Sequence, residues 1–369
     1  MEILTRERKE SDAIEYRGKT RKDSLRPAVK IEGRLKGSRA LESCHLLQNT
    51  PVDRVSSSSI SLIIPVRDEE ASIGRVTQSL IDQSLAPAEI VIADGGSTDN
   101  TRAIIREFIE AGHPIRLIED SDALPGRARN LAIGAATSEW IAMIDAGTIV
   151  EKDWLANLAS QSDSADVVLG TYEPILTSFF KECLALAFVA PGRLEGDLYF
   201  RGPSTASILM RKQVWDSLGG FPEDLRACED LIFFDRLETS RFVIKLAPAA
   251  IVRWHIPEDL KAVFRRFKTY SLHTLKAGLG NKWHLAVARM YLAGLGLSSL
   301  AVIHHWVWAV LPIIGFALRI HRSIRARKPS LKIKHRIGPH TYVVVGMILL
   351  WIDLAAFAGL LNYGFLKRR

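Results

Sequence analysis

Cysteine is scarce in this chain of 369 residues. Cys44, Cys183 and Cys228 are odd in number, far apart and without a CxxC pair. This argues against a disulfide framework or a cysteine-built zinc cluster and fits a reducing compartment. The first 58 residues lack any continuous apolar stretch, so no secretory signal peptide is expected. They carry 13 Lys/Arg against 9 Asp/Glu, show little apolar periodicity and run into Ser56–Ser59. Residues 1–58 are therefore expected to be a disordered basic leader or tether, with a membrane-surface role as the alternative. Also missing is a basic stripe interleaved with aromatics. The net charge of +8 sits in the leader and around apolar segments, so nucleic acid is not an expected partner.

Apolar runs are plentiful from Ile60 onward. "SISLIIPV" reads as a buried strand, and "SIGRVTQSLIDQSL" puts Ile73, Val76, Leu80 and Ile81 on one helical face. "AEIVIADGG" is a second strand, "TRAIIREFIEAG" a helix, "IRLIED" a strand, "GRARNLAIGAAT" a helix and "EWIAMIDAG" a fourth strand. The strands are apolar without polar alternation and lie between short helices. That pattern predicts an α/β fold with a mainly parallel sheet covered by helices on both faces. Ligands of such sheets bind beyond the carboxyl ends of the strands. The polar clusters lie there: Arg67-Asp68-Glu69-Glu70, Asp94-Gly95-Gly96-Ser97 and Asp145. Residues 151–257 are less regular, with strands expected in "DVVLGTYEP" and "FVIKLAPAAIVRW" and a helix in "EDLIFFDRL".

After Pro257 the character changes. Residues 258–284 read as a basic amphipathic helix, lying on a membrane surface or packed on the preceding domain. Two long apolar stretches follow. Leu285–Leu318 has one internal charge, Arg289, and Thr341–Leu366 has one, Asp353. Each exceeds the ~20 residues a span needs. Residues 285–320 are expected to be membrane-embedded, 321–340 a basic loop and 341–366 a transmembrane helix. Eight Lys/Arg in 319–340 place that loop in the cytoplasm. A single crossing before it would put the preceding domain outside. A hairpin would keep the domain cytoplasmic, but no Gly or Pro surrounds Val302, so both arrangements stay open.

"SLIIPVRDEEASI", "IVIADGGSTDNT", "GRARNLAIGAATSEWIAMIDAG", "GGFPEDLRACEDLIFFDRL" and "VRWH" occur in an order and spacing that resemble family 2 glycosyltransferases of the GT-A fold. The resemblance covers about Ser59 to Pro257. It implies a nucleotide-diphospho-sugar transferase domain at 59–257 and a divalent cofactor, Mg²⁺ or Mn²⁺. Pro65, Val66, Arg67, Asp68, Asp94 and Gly95 match donor-binding positions; the plain alternative for Asp94 is a turn-stabilising acid. Arg129 matches a residue beside the donor, binding a diphosphate oxygen or holding Asp145. Asp145 matches the first acid of the family's DxD metal motif, but Gly147 stands where the second acid is usual. His255 is a candidate further ligand. Glu229 and Asp230 match the acidic pair before a helix, with Asp230 as general base. Arg201 and Ser204 fall on the acceptor side. Arg253-Trp254 lacks the glutamine of the processive synthases' QxxRW motif, Ala250 standing in its place, so addition of one sugar or a few is expected.

The resulting expectation is an inverting glycosyltransferase at the cytoplasmic face of the cell's inner (plasma) membrane. Its partners would be a nucleotide-diphospho sugar, the membrane and a lipid or lipid-linked acceptor. The competing expectation is a non-catalytic, membrane-tethered nucleotide-sugar binder or scaffold of the same fold, favoured only by Gly147.

Overall fold

Apolar runs become strands where both faces can be covered. The computed structural model describes residues 59–366; the leader expected at 1–58 lies outside them. The first half alternates strand and helix: β1 (Ile60–Val66), α1 (Ile73–Ile81), β2 (Glu89–Asp94), α2 (Thr101–Glu110), β3 (Ile115–Glu119), α3 (Pro125–Ala135) and β4 (Trp140–Met143). β1 pairs in parallel with β2 and β4, and β2 with β3. Ile60, Leu62, Ile63 and Ile64 of β1 have no exposed area. Each such side chain contributes about 1.5–3 kcal/mol on burial, so β1 forms a firm central strand.

The second half adds β5 (Thr148–Val150), α4 (Trp154–Ala159), β6 (Val167–Pro174), α5 (Phe179–Phe188), a small hairpin of β7 (Arg193–Glu195) and β8 (Leu198–Phe200), β9 (Ile208–Arg211), α6 (Lys212–Ser217), α7 (Glu229–Thr239) and β10 (Ile244–Trp254). The eight-stranded sheet has the order β3-β2-β1-β4-β9-β6-β10-β5. β9 runs antiparallel between β4 and β6, and β5 antiparallel to β10. The sheet is thus mainly parallel in its first half and mixed in its second. Register aligns Val66 with Asp94 and Ile63 with Met143. The ends of β1, β2 and β4 therefore open onto one edge.

The C-terminal part consists of α8 (Leu260–Lys276), α9 (Gly280–Ile303), α10 (Val310–Arg327) and α11 (Pro339–Leu366). Asp259 caps α8, accepting from the Ala262 amide at 2.7 Å. α8 buries Val263, Phe267, Ser271 and Thr274; it packs on both α11 and the sheet domain rather than standing free. Three helices are long and apolar enough to cross a membrane: Trp283–Ile303, Trp306–Ser330 and Pro339–Leu366. The apolar stretch at 285–318 is broken at His304. His305 is extended (φ −162, ψ 138) and its Nδ1 accepts from the Val307 amide at 3.3 Å. A histidine cap thus ends one helix and starts the next without Gly or Pro. α10 returns far enough to bring Arg319 Nη1 within 3.9 Å of Met290 Sδ, so the stretch is a hairpin. The segment expected as a basic loop from residue 321 is helical as far as Arg327, because Ser323 and Ile324 are buried against α5, with Ser323 Oγ donating to the Leu186 carbonyl at 2.8 Å.

One charged cluster ties these helices together. Asp353 of α11 is buried and accepts from Arg319 Nη2 of α10 at 2.9 Å and from Tyr291 Oη of α9 at 2.9 Å. Removing one partner of a buried pair leaves an uncompensated charge, a loss of about 3–5 kcal/mol. Arg319→Ala is expected to lower the thermal midpoint of the detergent-solubilised chain accordingly. Arg319→Met with Asp353→Leu should recover most of that loss.

Candidate active site

The site is built around a buried arginine. α3 starts with Pro125 at its first turn and buries Ala128, Ala132 and Ile133. Gly126 lets α3 approach the Phe221-Pro222 turn: a Cβ there would lie 1.9 Å from the Pro222 carbonyl oxygen. Arg129 therefore points inward, is 4% exposed and lies over the Phe221 ring at 5.6 Å. Its Nη1 donates to Glu229 Oε1 at 2.6 Å and its Nη2 to Asp145 Oδ1 at 2.7 Å. Burial works against the Arg129 charge, but the two carboxylates outweigh it and hold its pKa above the usual value. The fork of a guanidinium is suited to such a bridge.

Helix α7 begins immediately after Cys228, which takes a left-handed conformation at φ 73. Such backbone is uncommon for a residue with a side chain. It divides the two acids that follow: Glu229 is buried against Arg129, whereas Asp230 is half-buried on the cavity wall. Burial, reinforced by Glu229 and opposed by Arg129, pushes the Asp230 carboxyl up to about 6. Its Oδ1 accepts from the Leu231 amide at 2.8 Å.

A cavity of about 760 Å³ opens at the sheet edge. Pro65, Val66, Arg67, Arg129, Asp145 and Asp230 line it, so β1, α3, β4 and α7 each deliver residues expected from the sequence. Others lie elsewhere. Asp94 is buried, with Oδ1 accepting from the Gly96 and Ser97 amides at 3.1 and 2.9 Å and Oδ2 from Ser97 Oγ. Its carboxylate is occupied by the turn it builds. Gly95 sits in that turn, where a Cβ would lie 2.4 Å from the Ala123 carbonyl oxygen. Asp68 accepts from the Thr98 amide at 2.8 Å. None of these three lines the cavity. Arg201 is 6% exposed and its guanidinium is spent on the Ala190 carbonyl at 3.0 Å, Ser330 Oγ at 2.9 Å and the Ser330 carbonyl. Ser204 Oγ accepts from the Ala206 amide at 3.2 Å, and Thr205 faces the cavity instead. His255 is exposed and off the cavity wall; burial of its ring and the nearby cations Lys181 and Arg75 lower its pKa. His255 follows directly on β10, whose last residue, Trp254, pairs with Thr148 of β5.

Sequence reasoning did not single out Glu69, Thr205, Phe267, Tyr270, Leu279 or Trp283, all of which line the cavity. Glu69 stood in the acidic cluster after β1. Thr205 lies in the loop before β9, next to the expected Ser204; Phe267, Tyr270, Leu279 and Trp283 come from α8 and the foot of α9, elements read only as membrane-facing or packing helices. Burial raises the pKa of Glu69, opposed by Ser72 and reinforced by Asp99, Asp145 and Asp68. Among the described residues, no group of three or more His, Cys, Asp and Glu converges as a metal cage. Asp145 and Glu69 are carboxylate oxygen donors of the kind Mg²⁺ and Mn²⁺ take, with phosphate and water able to fill the other positions.

Residues 61–203 match the family model described as glycosyl transferase family 2. Over that segment the chain resembles family 2 glycosyltransferases. It is 26% identical over 283 residues to the succinoglycan biosynthesis protein ExoA of Rhizobium meliloti (strain 1021), covering 71% of this chain and 83% of that protein. It is also 30% identical over 115 residues to the glycosyltransferase GlyA and 28% identical over 119 residues to GlyG, both of Streptococcus pneumoniae serotype 4; each match covers 31% of this chain. The chain spans only 16% and 40% of the length of these two relatives. In fold it is similar to the mannosyltransferase PcManGT from Pyrobaculum calidifontis, solved in complex with GDP-Man and Mn²⁺ (TM-score 0.55, 18% identity, covering 84% of this chain and 91% of that one). The chain thus has the GT-A type of sheet, followed by three long apolar helices.

The Arg129 bridge sets a clear expectation. Lysine offers one ammonium and cannot span two carboxylates in the same fork. A misplacement of about 1 Å costs on the order of 10²-fold in rate. Arg129→Lys should lower turnover by about that factor while the chain still melts cooperatively, as read by circular dichroism.

Proposed function

We propose that the chain transfers a sugar, with inversion, from a nucleotide-diphospho sugar to a hydroxyl or phosphate of a lipid-linked or membrane-embedded acceptor. One observation carries this reading. Asp230 and the Asp145–Arg129 pair share a single cavity with Leu279 and Trp283, at the foot of the apolar hairpin. Donor chemistry and membrane anchor meet in one space.

The diphosphate end of the donor belongs beside Asp145. A divalent cation, Mg²⁺ or Mn²⁺, supplies there the positive charge that the leaving diphosphate needs. Asp145 would hold it, and Arg129 fixes where the Asp145 carboxylate stands. Pro65, Val66 and Arg67 lie at the end of β1 where the nucleoside is expected. Asp94 and Gly95 serve that end indirectly, by shaping the neighbouring turn. Glu229 neutralises the other half of Arg129. Asp230 takes the proton from the acceptor hydroxyl as it attacks, at the oxygen not held by the Leu231 amide. A base with a pKa near 6 is ionised at neutral pH and still accepts a proton readily. The ligands of the similar mannosyltransferase, GDP-Man and Mn²⁺, belong to the donor and cofactor classes proposed.

The hairpin enters the inner membrane and returns to the same face. Its arms leave Leu292, Leu295, Val302 and Ile313 exposed, and α10 ends in Arg319, Arg322, Arg325 and Arg327. Basic residues at that end support a cytoplasmic position for it and for the catalytic domain beside it. α11 keeps one apolar side outward while its other side packs on α5 and α8.

The test is a donor screen on the detergent-solubilised full chain with Mg²⁺ or Mn²⁺, reading released nucleoside diphosphate with lipid acceptors present. Asp230→Asn is expected to lower transfer about 10²–10⁴-fold. With the unaltered chain, kcat/KM should fall as pH drops through about 6, because protonation removes the base. Full activity in Asp230→Asn, or an acid limb near the usual aspartate value of 3.8, would contradict the assignment of Asp230.

A further inference from the structure

Gly147 stands two residues after Asp145, where the resembling family has its second acid. Its backbone φ lies outside the left-handed range, and its neighbourhood is telling. A Cβ built on Gly147 lies 3.8 Å from both Glu69 Oε1 and Glu69 Oε2 and meets nothing nearer. An aspartate at 147 would extend its carboxyl group one bond beyond that Cβ, into the space that the Glu69 carboxylate now fills. The two carboxylates face the same cavity. Arg129 reaches Asp145 but makes no ion pair with Glu69.

Glu69 is also held in place. Its amide donates to Thr101 Oγ1 at 2.7 Å, and its carbonyl accepts from the Ser72 and Ile73 amides at 3.0 and 2.8 Å. Ser72 Oγ donates to Oε2, and no hydrogen bond to Oε1 from any described residue is present. A carboxylate fixed at three points of its residue, with one oxygen available, is arranged for a ligand rather than for solvent. Carboxylates brought together in a partly buried space repel unless a cation lies between them.

We propose that Glu69, reaching across from the loop after β1, supplies the second acidic ligand of the divalent-cation site and so replaces the acid absent at Gly147. This rests on the reading of Asp145 as the first ligand. It moves one ligand from the β4 loop to the β1 loop, 78 residues earlier in the chain (147 − 69), without changing the kind of donor.

The test is Mn²⁺ binding by the full chain in detergent, followed by the electron paramagnetic resonance signal of free Mn²⁺, with and without GDP or UDP. Four proteins are compared: unaltered, Asp145→Asn, Glu69→Gln, and Glu69→Gln combined with Gly147→Asp. Glu69→Gln is expected to weaken Mn²⁺ binding about tenfold, while its melting curve stays cooperative. Gly147→Asp should restore most of that affinity by returning a carboxylate to the same space. Unchanged binding in Glu69→Gln alongside loss in Asp145→Asn would overturn the role of Glu69 and leave the proposed function standing. Weakened binding that Gly147→Asp does not restore would also overturn it. Unchanged binding in both single variants would remove the cation site at Asp145 itself, and the inference with it.

Discussion

The bridge from Arg129 to Asp145 and Glu229 is the constraint on which the site depends. Three elements distant in sequence deliver its members: α3 the arginine, the end of β4 the aspartate, and the start of α7 the glutamate. Without Arg129, the buried Glu229 carboxylate would be left to bear the cost of desolvation. With both partners, the charge is held without solvent and the three elements are registered to one another. Asp230 gains its position from this arrangement, since Cys228 and Glu229 fix the first turn of α7. Its raised pKa follows from the same burial and from its charged neighbour Glu229.

A second dependency runs between the sheet domain and the apolar helices. Arg201 donates to Ser330, and the Glu182 carboxylate accepts from the Lys334 and His335 amides at 3.0 and 3.1 Å. The basic segment after α10 is therefore tied to α5 and to the loop before β9. α8 completes the wall of the cavity with Phe267, Tyr270 and Thr274 while its other side meets α11. The sheet domain and the apolar helices are thus packed as one unit rather than joined by a free linker.

Much of this was legible in the sequence, and what was not has identifiable causes. β1, β2 and β4 are buried almost throughout, so their apolar runs stand out, and the polar residues that end them mark the sheet edge. Arg129, Asp145 and the Glu229-Asp230 pair follow from motif order. The antiparallel insertion of β9 between β4 and β6 was not legible, because strand order is set by tertiary packing and not by the short run "SILMR". Nor was the break at His304, since a histidine acting as a helix cap carries no glycine or proline signal. Arg201 reads as a free cation until its partner Ser330, 129 residues later, is brought beside it. Asp94 shows the opposite case: its motif context pointed toward a ligand, and the turn it supports takes both of its oxygens. Glu69 was visible as one acid among several, but its approach to Gly147 exists only in three dimensions.

The central claim is that the cavity at the ends of β1 and β4 is where donor diphosphate and cation meet. The most direct measurement is an experimental structure of the full chain with GDP or UDP and Mn²⁺, using anomalous scattering to locate the metal. The account predicts an Mn²⁺ peak within bonding distance of Asp145 and of the diphosphate oxygens, with Arg129 still bridging Asp145 and Glu229. A nucleotide bound away from this cavity, or a metal that avoids Asp145, would contradict it.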